Sequence, residues 1–310
     1  MMNSLINPIE AMQKAVDIVG ESPHPSNKIA ASLFNDRTLI SRTNDWPESI
    51  RAKIGTEQRI GNSSGTVHAE VRAILSFPLP TQNTSLCITD PFCPNCAKNI
   101  AEAGIKNIYI DHKGFEKDFF KQNDDEFEHM SLRIAARAGI NVFKVERKLN
   151  RITPIHLVPD DFIVIEDNPI KIREINPQYN IQDWNEKNRI IHPRWGSALA
   201  TNDDGEYFGM MASSHPAIGY SKDMLTHDYE GKYNFYTEPL NRLLMGAKRY
   251  GLMLDPAQIY MAQVPTAREF VNFIAAGFNQ LIIGDTSHGR DADSLKALSL
   301  LLKHNLMRVN

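Results

Sequence analysis

Cysteine is scarce in this chain. There are three in 310 residues, and an odd, low count argues against a disulfide scaffold and for a reducing compartment. Charge of one sign is not in excess. The 34 Lys and Arg stand against 37 Asp and Glu, a formal net charge of -3, so no global field draws the chain to nucleic acid. Long apolar runs are missing. The most apolar late run, Ala297 to Leu302, is far too short to span a bilayer. The start, Met1 to Gly20, carries Glu10 and Asp17 and lacks the basic flank and apolar core of a secretory signal. These absences set the expectation of a cytoplasmic protein with no membrane partner and no nucleic-acid partner. What is there is ordinary for a globular chain, 42% hydrophobic and 23% charged. The length suggests two domains, each able to bury a core.

Hydrophobic spacing supplies the elements. Ile9, Met12, Ala15, Val16 and Val19 recur at helical spacing, with Asn7 or Ser4 as the cap. Lys28 to Phe34 is a short apolar run, Asn35-Asp36-Arg37 a hairpin turn, and Thr38 to Thr43 the return strand. A polar stretch follows to Gly65 and holds Arg51, Lys53 and Arg59, three cations placed to meet a substrate phosphate or simply solvated. A helix starts near His68, with Val71, Ile74 and Leu75 on its inner face. Ser85 to Thr89, Lys106 to Ile110 and Asn141 to Val145 read as strands. Helices fill the gaps, stopped by Gly104 and Gly139. Helices alternating with short apolar strands predict an α/β fold, a three-layer α/β/α domain. From Arg147 to about Asp183 periodicity fades and prolines recur, which predicts a connector with one strand at Phe162 to Ile165.

The second half repeats the first, weakly but collinearly. His24-Pro25 before an apolar strand matches His192-Pro193 before Ser197 to Thr201, and Trp46-Pro47 matches His215-Pro216. The helix and strand from Cys96 to Asp111 match those from Glu269 to Asp285, and the terminal helices correspond. In that register Cys93 falls on Thr266, Cys96 on Glu269, His68 near Glu238 and Glu70 near Leu240. The expected organisation is a domain over 1–148, a connector over 149–183, and a degenerate copy over 184–310 without metal ligands.

The chemistry gathers in two short segments, His68-Ala69-Glu70 and Cys93-Pro94-Asn95-Cys96. C-x-x-C at the start of a helix sets two sulfurs close enough to grip one ion, and the helix N-terminus favours thiolate. His68 makes a third ligand at the start of another helix and leaves one tetrahedral position for water, the arrangement of a catalytic zinc. Glu70, two residues on, stands beside the metal without ligating it, placed to move a proton off bound water. A redox C-x-x-C pair is the alternative reading, but it leaves His68 and Glu70 without a role. Cys87, inside a strand, reads as a small buried hydrophobe.

The pattern H-x-E followed by C-x-x-C is the zinc nucleobase-deaminase signature. Residues 22 to 145 resemble the cytidine/deoxycytidylate deaminase superfamily in the run KIAASLF, in Asn44-Asp45-Trp46-Pro47, in HAE, in CPNC and in AGIKNIYI. The resemblance implies a cytidine-deaminase-like fold with a mixed sheet and one zinc per chain, held by His68, Cys93 and Cys96. It implies hydrolytic deamination of a cytosine-type nucleoside or nucleotide, with hydroxide generated at zinc as nucleophile and Glu70 as proton shuttle. Asn44 matches a position that contacts base or sugar in many members. Ala69 and His24 line the same mouth. A purine, a pterin-like ring or a tRNA base is the alternative substrate, and a zinc-stabilised scaffold the alternative of another class. Members assemble so that neighbours complete one another's pockets, which implies either a homodimer or pairing of the two domains within one chain. Two departures bear on the substrate. Phe92 stands where the family has Pro before the first Cys, and H-A-E continues V-R-A-I.

Overall fold

The computed structural model describes residues 5–117, 125, 127–188, 192–225 and 234–310. The chain forms two compact units. One comprises Met1–Asp45, His68–Asp167 and Pro216–Phe235, and the other Trp46–Val67, Asn168–His215 and Tyr236–Asn310.

The first part of the chain runs α1 (Pro8–Ile18), β1 (Ala30–Phe34), β2 (Leu39–Thr43), α2 (Glu48–Lys53), α3 (Ala69–Ser76), β3 (Ser85–Ile88), α4 (Pro94–Glu102) and β4 (Asn107–Asp111). After a π-turn over Phe127–Ser131 come α5 (Leu132–Arg137), β5 (Asn141–Glu146) and β6 (Arg151–His156). The strands of the first unit form a sheet in the order β2-β1-β3-β4-β5-β6. β1 is antiparallel to β2 and β3, whereas β3, β4 and β5 run parallel. Parallel neighbours require crossovers, and α4 and α5 supply them.

Burial follows from this. β1 is buried along its whole length, so the sheet is covered on both faces. On one face Ala11 and Met12 of α1 pack with Phe34, Cys87 and Val145. α3 packs against β1, β2 and β3. Asn7 caps α1 by accepting the Glu10 N–H at 2.9 Å, and Ser4 lies outside the described residues. Gly104 follows α4 with φ of 71°, the left-handed conformation that glycine takes without cost.

The second part continues with β7 (Lys171–Glu174), α6 (Ile181–Lys187), β8 (Trp195–Thr201), β9 (Tyr207–Ser213) and the two-residue strands β10 (His215–Pro216) and β11 (Tyr236–Thr237). It ends with α7 (Pro239–Tyr250), β12 (Met253–Val264), α8 (Ala267–Ala275), β13 (Gln280–Gly289), α9 (Ala292–Lys303) and β14 (Arg308–Val309). Its sheet has the order β14-β13-β12-β8-β9-β7. β8 is antiparallel to β9 and β12, and β12, β13 and β14 run parallel.

Five strands of each sheet therefore share one topology, β2-β1-β3-β4-β5 in the first and β9-β8-β12-β13-β14 in the second. The helices intervene in the same order, α1, α3, α4 and α5 against α6, α7, α8 and α9. The sheets differ in their sixth strands, β6 in one and β7 in the other. The shared topology is consistent with duplication of one α/β unit.

Three expectations need correction. Phe162 to Ile165 is not a strand. The chain turns there, with the Phe162 N–H on the Pro159 carbonyl and the Ile165 carbonyl accepting from Gly219. The stretch expected to be aperiodic carries β6 and β7 on either side. The polar stretch before Gly65 also contains a short helix, α2. Its Lys53 Nζ donates to the Asn305 carbonyl at 2.8 Å, and the Arg59 guanidinium donates to the Asn62 carbonyl.

Candidate metal centre

Two helix starts hold the chemistry of the first unit. His68 is the N-cap of α3 and Cys93 the N-cap of α4, both with extended backbone and neither using its side chain to cap. Cys96 lies at the third helical position of α4, and Pro94 opens that helix with a residue that needs no N–H partner. A side chain at an N-cap and one at the third helical position face the same way, so the two sulfurs converge. His68 Nδ1 lies 3.2 Å from Cys96 Sγ and 3.6 Å from Cys93 Sγ. The three donor atoms all lie within 4.8 Å of one another. Tetrahedral ligation at ordinary zinc bond lengths separates nitrogen from sulfur by about 3.6 Å. Zinc fits this donor set, and among the described residues no other such group of three forms.

Electrostatics agree with that fit. The Cys93 thiol is held well below its usual range, first by a hydrogen bond from Cys96 and then, against the cost of burial, by the charge of His68. Glu70, at the second position of α3, is buried. Burial raises its carboxyl above the usual range, and the charge of His68 partly offsets this. Cys96 hydrogen-bonds the Glu70 carboxyl, yet Oε2 is buried and has no hydrogen-bond partner among the described residues. A buried oxygen of this kind is costly unless a ligand or a proton meets it.

The segment that carries Cys93 is fastened. Thr89 Oγ1 accepts the Ala30 N–H at 3.0 Å and donates to Asp90 Oδ2 at 2.8 Å. Lys117 Nζ stands 2.7 Å from Asp90 Oδ1. Gly114 is pressed so close that a Cβ there would lie 2.6 Å from the Thr89 carbonyl oxygen. Phe92 is fully buried and meets Phe127 edge to face at a centroid distance of 5.4 Å. Opposite, Arg72 of α3 reaches the Thr43 carbonyl and Asp45, each at 3.2 Å, which ties the helix of His68 to the end of β2. Sequence reasoning missed Asp90, Lys117, Phe127 and Arg72. Charge complementarity alone does not mark such pairs in a sequence.

Asn44 follows β2 and is buried. Its Oδ1 accepts from Ser22 Oγ at 2.7 Å and from the Ile29 N–H at 2.9 Å, and its Nδ2 donates to the Asn27 carbonyl at 2.8 Å. Asn44 thus holds the loop of His24, with one Nδ2 hydrogen left over. His24 Nδ1 accepts the Asn27 N–H at 3.0 Å, and burial followed by the charge of His68 lowers its pKa. Ala69 opens α3 with no exposed surface. Cys87 is buried in β3 against Met12 and Phe34, and burial pushes its thiol well up.

The second unit has different residues at the same topological places. Glu238 is the N-cap of α7, Thr266 the N-cap of α8, and Glu269 the third helical position of α8. These correspond to His68, Cys93 and Cys96, the register expected from sequence. Glu269 Oε1 accepts the N–H groups of Leu240 and Asn241 at 2.8 and 3.4 Å, and its Oε2 accepts the Thr266 N–H at 2.8 Å and hydroxyl at 2.9 Å. Burial and the nearby Glu238 carboxylate push Glu269 up to about 7, against the four hydrogen bonds that favour its charged form. Arg194 Nε and Arg290 Nη1 stand 3.4 and 3.8 Å from Glu238.

The first unit thus sets a His-Cys-Cys group that could hold a metal ion, and a buried glutamate, at two helix starts of a mixed α/β unit. Residues 7–112 match the model of the cytidine and deoxycytidylate deaminase zinc-binding region. Over that region the chain is similar to cytidine and deoxycytidylate deaminases. The chain is 27% identical over 128 residues to an uncharacterized deaminase in the luxG 3' region of Aliivibrio fischeri, covering 41% of this chain and 85% of that protein. It is 28% identical over 120 residues to ComE operon protein 2 of Bacillus subtilis, covering 35% of this chain and 62% of that one. Among solved structures it is similar to the dCMP deaminase of cyanophage S-TIM5 in complex with dCMP and dUMP. The identity is 19%, the TM-score 0.32, and the match covers 43% of this chain and 93% of that one. No helix among the described residues is long and apolar enough to cross a membrane.

Proposed function

We propose that residues 1–148 catalyse hydrolytic deamination of a cytosine-type nucleoside or nucleotide, with His68, Cys93 and Cys96 holding one zinc ion. The observation that carries this reading is Glu70 Oε2, buried and without a protein partner beside the three converging donors. Zinc held by these three residues would acidify water toward a pKa of about 7 and so would supply a nucleophile at neutral pH. Glu70 Oε2 takes a proton from the attacking water and delivers it to the ring nitrogen next to the amino-bearing carbon. A second transfer through the same oxygen gives the departing amine the proton it needs to leave as ammonia, so water and an aminopyrimidine become a pyrimidinone and ammonia. Ala69 lies against the base, and Asn44 and His24 bound the mouth. Asn44 acts mainly by holding the His24 loop, because its Oδ1 is already satisfied twice.

Free thiolates at a metal site suit a reducing compartment, which supports a cytoplasmic location. The match to the deaminase zinc-binding region and the deaminase relative from Aliivibrio fischeri support the family of chemistry, while the substrate rests on the residues around the site. The test is ammonia release by the zinc-loaded protein from cytosine, cytidine, CMP and their deoxy forms. Release from at least one, lowered about 100-fold or more by Glu70→Gln with zinc retained, is the expected result. No release from any cytosine compound would end this reading.

A further inference from the structure

A second cleft lies in the first unit, built from elements that the metal centre does not use. It is an open cleft of about 190 Å³ bordered by Arg133, Ala136 and Arg137 of α5, His156 at the end of β6, and Pro159 and Phe162 of the segment that follows. Arg133 and Arg137 are one helical turn apart, a spacing that brings two like charges side by side and costs the helix a few tenths of a kcal/mol unless something neutralises them. Neither guanidinium has a carboxylate within ion-pairing distance among the described residues. Asp160 and Asp161, next to Pro159, do not line the cleft and make no ion pair with either arginine.

The walls are built rather than loose. The Val158 N–H donates to Asn141 Oδ1 at 2.9 Å, the Phe162 N–H to the Pro159 carbonyl at 3.1 Å, and the Gly219 N–H to the Ile165 carbonyl at 2.8 Å. Arg137 is held from its other side by the ring of Tyr220, 5.8 Å from the guanidinium carbon. Phe162, 38% exposed, offers an aromatic face to the cleft. Burial lowers the pKa of His156, so it stands there as a neutral imidazole with one donor and one acceptor.

Two guanidinium groups with no carboxylate partner among the described residues, one neutral imidazole and an apolar wall, in a volume smaller than a drug-sized pocket, fit a small anion on a flat body. We propose that this cleft is a ligand site, distinct from the metal centre, for a small phosphate-class oxyanion on a flat apolar group. The phosphate lies between Arg133 and Arg137, and the ring lies against Phe162 and Pro159. The site does not depend on the deaminase reading, since none of its six residues belongs to the metal centre.

Titration calorimetry of the full zinc-loaded chain with phenyl phosphate at low salt tests it, with inorganic phosphate and benzoate as the other arms. Saturable binding of phenyl phosphate with a Kd of about 1 mM or tighter is expected, and it should weaken at least about tenfold in Arg133→Gln/Arg137→Gln. Phe162→Ala should weaken phenyl phosphate and leave inorganic phosphate unchanged. The single variant Arg133→Gln, on an exposed helix position, serves if the double variant does not fold. No saturable heat up to about 10 mM would overturn the proposal. So would binding that the arginine variants do not change, or benzoate binding as tight as phenyl phosphate.

Discussion

Glu269 Oε1 accepts the backbone N–H of Leu240 at 2.8 Å. One carboxylate, at the third position of α8, thereby reaches the start of α7. In the first unit the residue at the matching place is Cys96, whose sulfur lies 3.2 Å from His68 at the start of α3. Both units face the same difficulty, two helix N-termini brought together with unpaired donors at each. The first meets it with a metal centre and the second with a hydrogen-bonded carboxylate. The second unit can then keep the topology without a metal.

Replacing Glu269 with Ala should therefore destabilise the protein by about 2 to 4 kcal/mol, because the Leu240 and Thr266 N–H groups lose a buried acceptor together with a capping box. Urea unfolding of the full chain measures it. A loss under about half a kcal/mol would show that the clasp contributes little.

The same carboxyl makes stability depend on pH in a definite direction. Its folded pKa is raised from 4.5 to about 7 by burial and by Glu238. The folded chain then holds more protons than the unfolded chain between those values, and stability falls as pH rises through that window. Glu269→Gln removes the titration. Relative to the unmodified protein, the variant should gain stability between pH 5 and pH 8, by at most about 3 kcal/mol. A difference that stays constant with pH would refute the assignment.

Asn44→Ala should act on the loop of His24 before it acts on chemistry. It strips the Ile29 N–H and the Asn27 carbonyl of a buried partner and leaves Ser22 Oγ only the residue 44 carbonyl, at a cost of about 2 to 3 kcal/mol. Hydrogen exchange at residues 22–29 should rise in the variant. Unchanged protection there would mean that the loop is held by other contacts.

The convergence of His68, Cys93 and Cys96 was legible in the sequence because they come in two short local patterns, each opening a helix. The repeat was legible too, since register places Cys93 on Thr266 and Cys96 on Glu269 and the structure gives each pair the same helical position. The capping box Thr266-x-x-Glu269 was not read from the sequence, and its reach to Leu240 depends on tertiary placement. β6 was hidden because Arg151–His156 is an exposed edge strand with a proline inside it, and edges carry little apolar alternation. Phe162 to Ile165 misled in the other direction, since a short apolar run can cover a helix end as well as form a strand. Asn44 was found by its position, but only the structure shows that its Oδ1 accepts two hydrogen bonds within the fold.

Metal content tests the central claim most directly, that one zinc site serves a chain with two copies of the topology. The purified full chain should hold about one zinc per molecule, lose it in Cys96→Ser and keep it in Glu269→Ala. Two zinc ions per chain, or full zinc retention in Cys96→Ser, would contradict the account.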